Sequence, residues 1–176
     1  MLPLLKYGDM TMLNLKRVNA ASLYRLTPNH RPLFYDFITD HGIDYTVGFT
    51  PCDLMPGIEA YEFVITSPQR RPPSHDPKLR QTILALIYEF FRNKRSVMLC
   101  LCETGDDRQM LRSRLLESWY DSGDHRKTFA ALMAEIPDEK GSMNHVAIVM
   151  RTAHPQSEAI ARQFNDIIGL FREQQE

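Results

Sequence analysis

The chain has 176 residues, of which 43% are hydrophobic and 24% are charged, and its formal net charge is −1 at pH 7. This length suits one domain with a sizeable core, and the near-neutral charge gives no reason to expect a nucleic-acid or membrane partner. No apolar run reaches the roughly 20 residues that span a bilayer, and we expect no signal peptide. Three cysteines without an export signal favour a reduced, cytoplasmic protein.

The first 30 residues show weak hydrophobic periodicity, and we predict that they form a loosely attached lead-in. No stable helix is expected at Met12–Leu15, whereas an edge strand is expected near Ser22–Leu26. The remainder, residues 31–176, is predicted to form a single α+β domain.

Alternating apolar residues predict a three-stranded meander at the start of this domain. Leu33–Thr39 and Tyr45–Thr50 alternate on either side of the turn at His41 and Gly42, which predicts an antiparallel hairpin. A third strand is predicted at Tyr61–Thr66, where apolar residues again occupy every second position.

A helix and a buried strand follow the meander. Asp76 and Pro77 form a helix start, and apolar residues then repeat every three to four positions up to Asn93. Ser96–Cys102 is apolar on both faces, which predicts a central strand that is covered on both sides. A second amphipathic helix is predicted from Asp106, with an apolar stripe that consists of Leu111, Leu115 and Trp119.

The C-terminal part contains one ambiguous segment. Phe129–Ile136 could be helix or strand, and its alanines favour helix by propensity alone. A strand is predicted at Val146–Met150 and a last helix from Pro155. The order of elements predicts an α+β fold with a mixed, mainly antiparallel sheet on which about three helices pack.

Arg108 and Arg112 are the leading candidates for function. They lie four residues apart on the predicted helix, and neither has a carboxylate three or four positions away. Like charges at this spacing cost about 0.2–0.5 kcal/mol in an isolated helix, so we predict that at least one arginine binds a carboxylate outside its helix. The candidate carboxylates are Asp36, Glu62, Asp106 and Asp107. The alternative counter-charge is an anionic ligand or an acidic partner surface.

Cys102, Asp106 and Trp119 complete the candidate surface. Cys102 and Arg108 have the Cys-x5-Arg spacing of cysteine-dependent phosphatases, but the carboxylates between them would repel phosphate and raise the thiol pKa, which disfavours this chemistry. Asp106 fits a helix N-terminus, where an acid complements the helix dipole. Trp119 is expected in the core, and an exposed interaction anchor is the alternative.

The other polar residues give no sign of a metal or a cofactor. The six histidines are scattered, and no spacing typical of metal ligands or of a glycine-rich phosphate loop occurs. We therefore expect no metal site and no cofactor. Nucleic-acid binding is disfavoured as well, because no basic run with interleaved aromatic residues is present.

Four segments within residues 24–171 form a set: YDFIT…IDYTVGF, DPKLRQTILALIYEFF, LCETGDDRQMLRSRLLESWY and HVAIVMRTAHP. Together they resemble an uncharacterised domain-of-unknown-function family, associated mainly with Bacteroidetes-type bacteria. The positions that carry the family pattern are Cys102-Glu103, Asp106 to Gln109, Arg112 and Trp119-Tyr120. The chain departs from the pattern at Asp107 and at Ala153-His154-Pro155. The resemblance implies a shared fold and supplies no catalytic residue.

The expected function is non-enzymatic: binding of a protein partner, or self-association, in the cytoplasm through the surface between Cys102 and Trp119. The alternative is an enzyme or sensor that handles a phosphorylated small molecule through Arg108 and Arg112. The sequence leaves open whether the protein is an enzyme. Burial of the two arginines against protein carboxylates would favour the first function, and an open pocket beside Cys102 would favour the second.

Replacement of Trp119 by alanine tests whether this residue belongs to the core. If the indole is fully buried, the substitution should lower the free energy of unfolding by about 3–5 kcal/mol in a urea titration, because it leaves a large cavity. A loss below about 1 kcal/mol would identify Trp119 as an exposed anchor instead.

Overall fold

A mixed sheet of seven strands organises the part of the chain that the computed structural model describes, which is residues 13–68, 76–102 and 125–174. The strands are β1 (Thr27–Pro28), β2 (Phe34–Ile38), β3 (Asp44–Cys52), β4 (Ala60–Thr66), β5 (Val97–Cys102), β6 (Phe129–Pro137) and β7 (Met143–Arg151). The helices are α1 (Leu15–Ala21), α2 (Pro77–Phe90), the single turn α3 (His125–Thr128) and α4 (Ser157–Glu173).

The strand order is β1-β2-β3-β4-β5-β7-β6, and every neighbouring pair is antiparallel except β4 and β5. The parallel pair is joined through α2, as a parallel connection requires. The predicted α+β fold with a mixed, mainly antiparallel sheet is therefore confirmed.

The predicted N-terminal meander is present as β2, β3 and β4. Tyr35 on β2 lies opposite Val47 on β3, and Phe49 lies opposite Phe63 on β4. Gly42 turns the hairpin with a φ of 72°, which favours glycine over other residues. The hairpin prediction is confirmed, because its alternation and its turn chemistry are both local signals.

Strand β5 lies between two hydrophobic cores, as predicted from its apolar character on both faces. Met98 and Cys100 belong to the first core, on the face covered by α1 and α2, and Val97 and Leu99 belong to the second core, on the face covered by α4. The first core also contains Val18, Val47, Phe49, Ile83 and Phe90. The second core also contains Met55, Ile148, Ile160, Phe164 and Ile168.

Helix α2 begins where the sequence predicts. The side chain of Asp76 accepts hydrogen bonds from the backbone N–H groups of Lys78 and Leu79, and Pro77 is the first helical residue. The ring of Phe90 stacks on Phe49 of β3, with 4.2 Å between the centroids. This contact docks the helix on the meander.

The C-terminal end of α2 and the segment after it are held by side chains from the end of β7 and from the residues that follow it. The guanidinium of Arg151 donates to the carbonyl oxygen of Phe91 through Nε at 2.9 Å and through Nη2 at 2.6 Å. Nε2 of the buried His154 lies 2.8 Å from the carbonyl oxygen of Arg95, and its Nδ1 accepts from the N–H of Gln156, so Nε2 carries the proton. Carbonyls at a helix end lack helical partners, and Arg151 supplies one to Phe91, while His154 holds the segment between α2 and β5.

The N-terminal part differs from the sequence-based expectation. A helix is present, because α1 begins at Leu15 with Asn14 as its cap, and the edge strand lies at Thr27–Pro28 and not at Ser22–Leu26. Seven residues are too few to form a stable helix alone, so α1 depends on burial of Val18 in the first core. From residue 13 on, this part packs into the same core, and a boundary at residue 30 stays a prediction.

The ambiguous segment Phe129–Ile136 is strand β6, so the helix favoured by its alanines is wrong. It pairs with β7 along its whole length, from Phe129 opposite Arg151 to Pro137 opposite Met143. Burial of Phe129 and Ile136 in opposite cores adds to this pairing. Tertiary pairing has overridden helix propensity here.

Gly48 allows β3 to pass close to the residues before β2. A methyl group at this position would clash with the carbonyl oxygen of Leu33 and would lie 2.6 Å from Cγ of Phe34. We predict that Gly48→Ala lowers the free energy of unfolding by about 1–3 kcal/mol in a urea titration, because backbone atoms cannot move aside cheaply.

Gly169 in α4 provides the matched control, because nothing lies within 4 Å of a methyl group added there. Gly169→Ala should raise stability by about 0.5–1 kcal/mol through the higher helix propensity of alanine. Equal effects of the two substitutions would contradict the close approach at Gly48.

Candidate functional site

Four of the five predicted site residues lie outside the residues that the structure describes: Asp106, Arg108, Arg112 and Trp119. The predictions made for them, including the carboxylate partner of the arginines and the helix from Asp106, stay predictions. The backbone of the fifth, Cys102, is placed as the last residue of β5, where it lies opposite His145 on β7.

A row of three reactive residue types crosses the sheet at this position. Cys102 on β5 lies opposite His145 on β7, and His145 lies opposite Glu135 on β6. Residues directly opposite each other on antiparallel strands share a face, with Cβ atoms about 4.5–5.5 Å apart. The His145 Nδ1 atom lies 3.8 Å from Oε1 of Glu135, and both side chains are exposed. Sheet register thus groups a cysteine, an imidazole and a carboxylate.

His145 and Glu135 were missed from the sequence because only the register of the sheet places them beside Cys102. Glu135 lies in the segment whose alanines favour helix, and His145 precedes the predicted strand at Val146. The row is therefore a product of strand register and not of a local motif.

The two other cysteines have environments that suppress reactivity. Cys100 is buried in the first core, as expected for a small apolar residue. Burial raises the pKa of the half-buried Cys52 thiol, and the charges of Glu62 and Asp53 raise it further, although a hydrogen bond from the backbone of Leu54 acts in the opposite direction. The raised pKa leaves the Cys52 thiol mostly protonated near neutral pH.

Strand β6 is the last strand of the sheet, and among the described residues no strand pairs with its outer side. The N–H of Thr152 donates to the carbonyl oxygen of Thr128, and this register continues into β6. In an antiparallel pair, the residues along a strand alternate between those that hydrogen-bond to the neighbouring strand and those that do not. The backbone groups of even-numbered residues of β6 therefore bond to β7, and those of odd-numbered residues point outward. The carbonyl oxygen of Glu135 fits this assignment, because it accepts from Nη2 of Arg172 at 3.3 Å.

The two edges of the sheet differ in character. At one edge, β1 has two residues, of which Pro28 has no N–H to offer a further strand. At the other edge, β6 has nine residues, FAALMAEIP, with Glu135 as its one charged residue. Met133, at its centre, is 67% exposed. The β6 edge is therefore the one suited to pairing with another chain.

The buried carboxylate of Glu89 joins α1 to α2. It accepts from Nη2 of Arg17 at 2.8 Å, from Nε of Arg92 at 3.0 Å and from the backbone N–H of Asn14 at 3.3 Å. Burial alone would raise the pKa of Glu89, but the hydrogen bonds and charges of these partners outweigh it, so the pKa lies below its ordinary value. Each oxygen has a partner, which makes the cluster a structural clamp.

An open depression of about 550 Å³ lies beside α1 and is lined in part by Leu15, Asn19, Leu23 and Tyr24. The Asn19 amide in this lining is already bonded to the backbone of Leu26. Within the described ranges, no cluster of three or more His, Cys, Asp or Glu residues could hold a metal ion. None of the helices described has the length and apolar character that a membrane crossing requires.

Comparison with models of protein families shows to which family this α+β domain belongs. The model of DUF6169, a family of unknown function, matches residues 75–166, which is just over half of the chain. The chain belongs to this family, and the resemblance to an uncharacterised family is confirmed over a shorter range than residues 24–171. The match runs from the start of α2 into α4 and includes the row of Cys102, Glu135 and His145. Neither the curated proteins nor the solved structures contain a match to the chain.

Glu89→Gln tests the clamp between α1 and α2. At about pH 7 the variant should lose about 1–3 kcal/mol of unfolding free energy, because the charged hydrogen bonds are weakened. A carboxyl group whose pKa is lower in the folded protein than in the unfolded chain stabilises the fold at pH values above the unfolded pKa. This contribution is lost as the pH falls through the folded pKa. The difference from wild type, measured by urea titration, should therefore shrink below about pH 4.

The exposed pair of Asp40 and Lys78 is the control, since its atoms approach to 2.6 Å but both side chains face solvent. Asp40→Asn should change stability little at either pH. A Glu89→Gln loss that is constant from neutral to acid pH would show that the carboxylate charge is not the stabilising group.

Proposed function

We propose that this domain acts by self-association, in which two copies join antiparallel through the outer edges of β6. The observation that carries this proposal is a long, almost uncharged strand at the edge of the sheet, beyond which no further strand lies among the described residues. Such an edge is a template for a further strand, and on β6 the usual protection by charges or prolines is limited to Glu135 and to Pro137 at the end of the strand.

A second copy of the chain suits this edge for a reason of symmetry. With a two-fold axis at Met133, each outward-directed residue of one copy lies opposite an outward-directed residue of the other. Met133 pairs with Met133 of the second copy, and Ala131 pairs with Glu135 of the second copy. The carbonyl oxygen of Glu135 has a second lone pair, so it can accept from the second copy while it keeps Arg172. No charged side chain is placed opposite a like charge in this register.

Apolar surface beside the edge adds to the area that a dimer would bury. Leu170 and Phe171, near the C-terminus of α4, are 61% and 43% exposed, and the next residue, Arg172, contacts β6. A two-fold axis at the edge places the C-terminal end of α4 beside the same helix end of the second copy. Both helix ends then lie on the same face of the joined sheet. Stable interfaces bury about 1,200 Å² or more, which a pair of strands with flanking helices can supply.

Met133→Lys and Ala131→Pro test self-association at the edge. Lysine would place two like charges opposite each other, and proline would remove an outward N–H without affecting the bonds to β7. Wild-type protein should sediment as a dimer in the micromolar to millimolar range, and both variants should sediment as monomers with circular dichroism spectra like that of wild type.

Leu23→Lys is the control, because Leu23 is exposed on the turn after α1, distant in the fold from β6. It should leave the dimer intact. A wild-type protein that is monomeric throughout this range, or dimers that persist in both β6 variants, would refute self-association through β6.

The cytoplasmic setting is part of this proposal, and the free thiols of Cys52 and Cys100 support it. A bacterial origin of the Bacteroidetes type remains what the family resemblance implies. The alternative function, binding of a phosphorylated small molecule through Arg108 and Arg112, concerns residues outside those described. A rise in melting temperature with inorganic phosphate, lost in Arg108→Ala, would favour it over self-association.

A further inference from the structure

We propose that the open depression beside α1 is a docking site for an acidic peptide segment of a partner protein, in which carboxylates flank one apolar side chain. The depression is lined by residues of α1 and of the loop that follows it, among them Lys16, Leu23 and Arg25. The proposal goes beyond self-association and does not depend on it, because this loop leads into β1, at the opposite edge of the sheet from β6.

Hydrogen bonds hold the walls of the depression in place. The Asn19 side chain accepts from the N–H of Leu26 at 2.8 Å and donates to the carbonyl oxygen of Leu26 at 3.0 Å. The hydroxyl of Ser22 donates to the carbonyl oxygen of Tyr24 at 2.8 Å, and the N–H of Tyr24 donates to the hydroxyl of Thr82 on α2 at 3.0 Å. A surface that is already ordered loses little conformational entropy when a ligand binds, so these bonds favour docking.

The groups that these bonds leave available are cationic and apolar. Lys16 and Arg25 are exposed, and neither forms an ion pair with a carboxylate of the described residues. None of the described residues that line the depression is acidic. Leu23 in the same lining is 53% exposed, so an apolar contact is offered together with the two charges. A ligand that combines carboxylates with an apolar side chain is complementary to this surface.

Positive charge extends beyond the depression over the layer that α1 and α2 form. Residues 13–28 and 76–96 contain eight lysines and arginines but only two acids, although the whole chain has a formal net charge of −1. Arg17 and Arg92 share the single carboxylate of Glu89, and their side chains are 52% and 61% exposed. The neutral total therefore conceals a basic layer, whose field favours the approach of an acidic segment.

Other anionic partners fit the depression less well. Tyr24 is the one aromatic residue in the described lining, and its ring is 6% exposed and stacked on Phe37, so it offers no surface for a nucleic-acid base. A membrane surface would need a wider apolar face than Leu23, the one exposed large hydrophobic residue of this lining, provides. An acidic peptide needs neither feature.

Fluorescence anisotropy with a defined peptide tests the proposal on the full-length protein. The probe is a fluorescein-labelled peptide with one leucine at the centre of six glutamates, at about 50 mM salt, where screening is weak. Wild type should bind the probe saturably, and the affinity should fall as the salt concentration rises. The double variant Lys16→Glu, Arg25→Glu should bind at least about 10-fold more weakly, because repulsion replaces two exposed ion pairs.

Two comparisons separate the depression from a general effect of charge. The double variant Lys127→Glu, Lys140→Glu makes the same change of net charge at exposed positions outside the basic layer, and its affinity for the probe should be close to that of wild type. Leu23→Ser should weaken binding of the leucine probe about 3-fold and leave binding of a probe with serine in place of leucine unchanged.

Three results would overturn the proposal. They are no saturable binding by wild type up to about 1 mM protein, an equal loss of affinity in the two double variants, and binding of a single-stranded oligothymidylate of equal charge that is as tight as binding of the peptide. The Lys16→Glu, Arg25→Glu variant should keep the circular dichroism spectrum and the sedimentation behaviour of wild type, because both positions are exposed and distant from β6. A failure of peptide docking is thereby distinguished from a failure of self-association.

Discussion

The burial of β5 on both faces is the constraint on which the rest of the structure depends. One face of this strand contributes Met98 and Cys100 to the first core, and the other contributes Val97 and Leu99 to the second. Its parallel edge joins the N-terminal meander, and its antiparallel edge joins β7. The helices can therefore pack on opposite faces, because a single apolar strand serves both cores.

The same constraint explains which elements could be predicted from sequence. The hairpin around Gly42, the start of α2 at Asp76 and the apolar β5 each have local signals, and all three were predicted correctly. Helix α1 depends on Val18 and on the pairing of Arg17 with Glu89, which lies 72 positions away. Strand β6 depends on β7 for every ladder bond within the described sheet. Their stability comes from tertiary partners that no local window contains.

The residues of the candidate site can likewise be divided into those that a local signal identifies and those that only tertiary pairing brings together. Cys102 was singled out by its Cys-x5-Arg spacing to Arg108 at the end of an apolar strand, and that spacing is a local property. His145 and Glu135 become its neighbours only when strand order and register are known, since β7 lies between β5 and β6. Residues far apart in sequence are thus brought together by pairing, and a motif search that relies on fixed spacing has no means to find them.

The contact of Arg151 with the end of α2 has a consequence for synthesis of the chain. The carbonyl oxygen of Phe91 receives two bonds from a guanidinium 60 residues later, and the carbonyl oxygen of Arg95 receives one from His154. As the chain leaves the ribosome, the meander and α2 emerge first, with this helix end open to water. The N-terminal half is completed only after β7 has been translated, so nascent chains that stop earlier would present an unfinished sheet edge to chaperones and proteases.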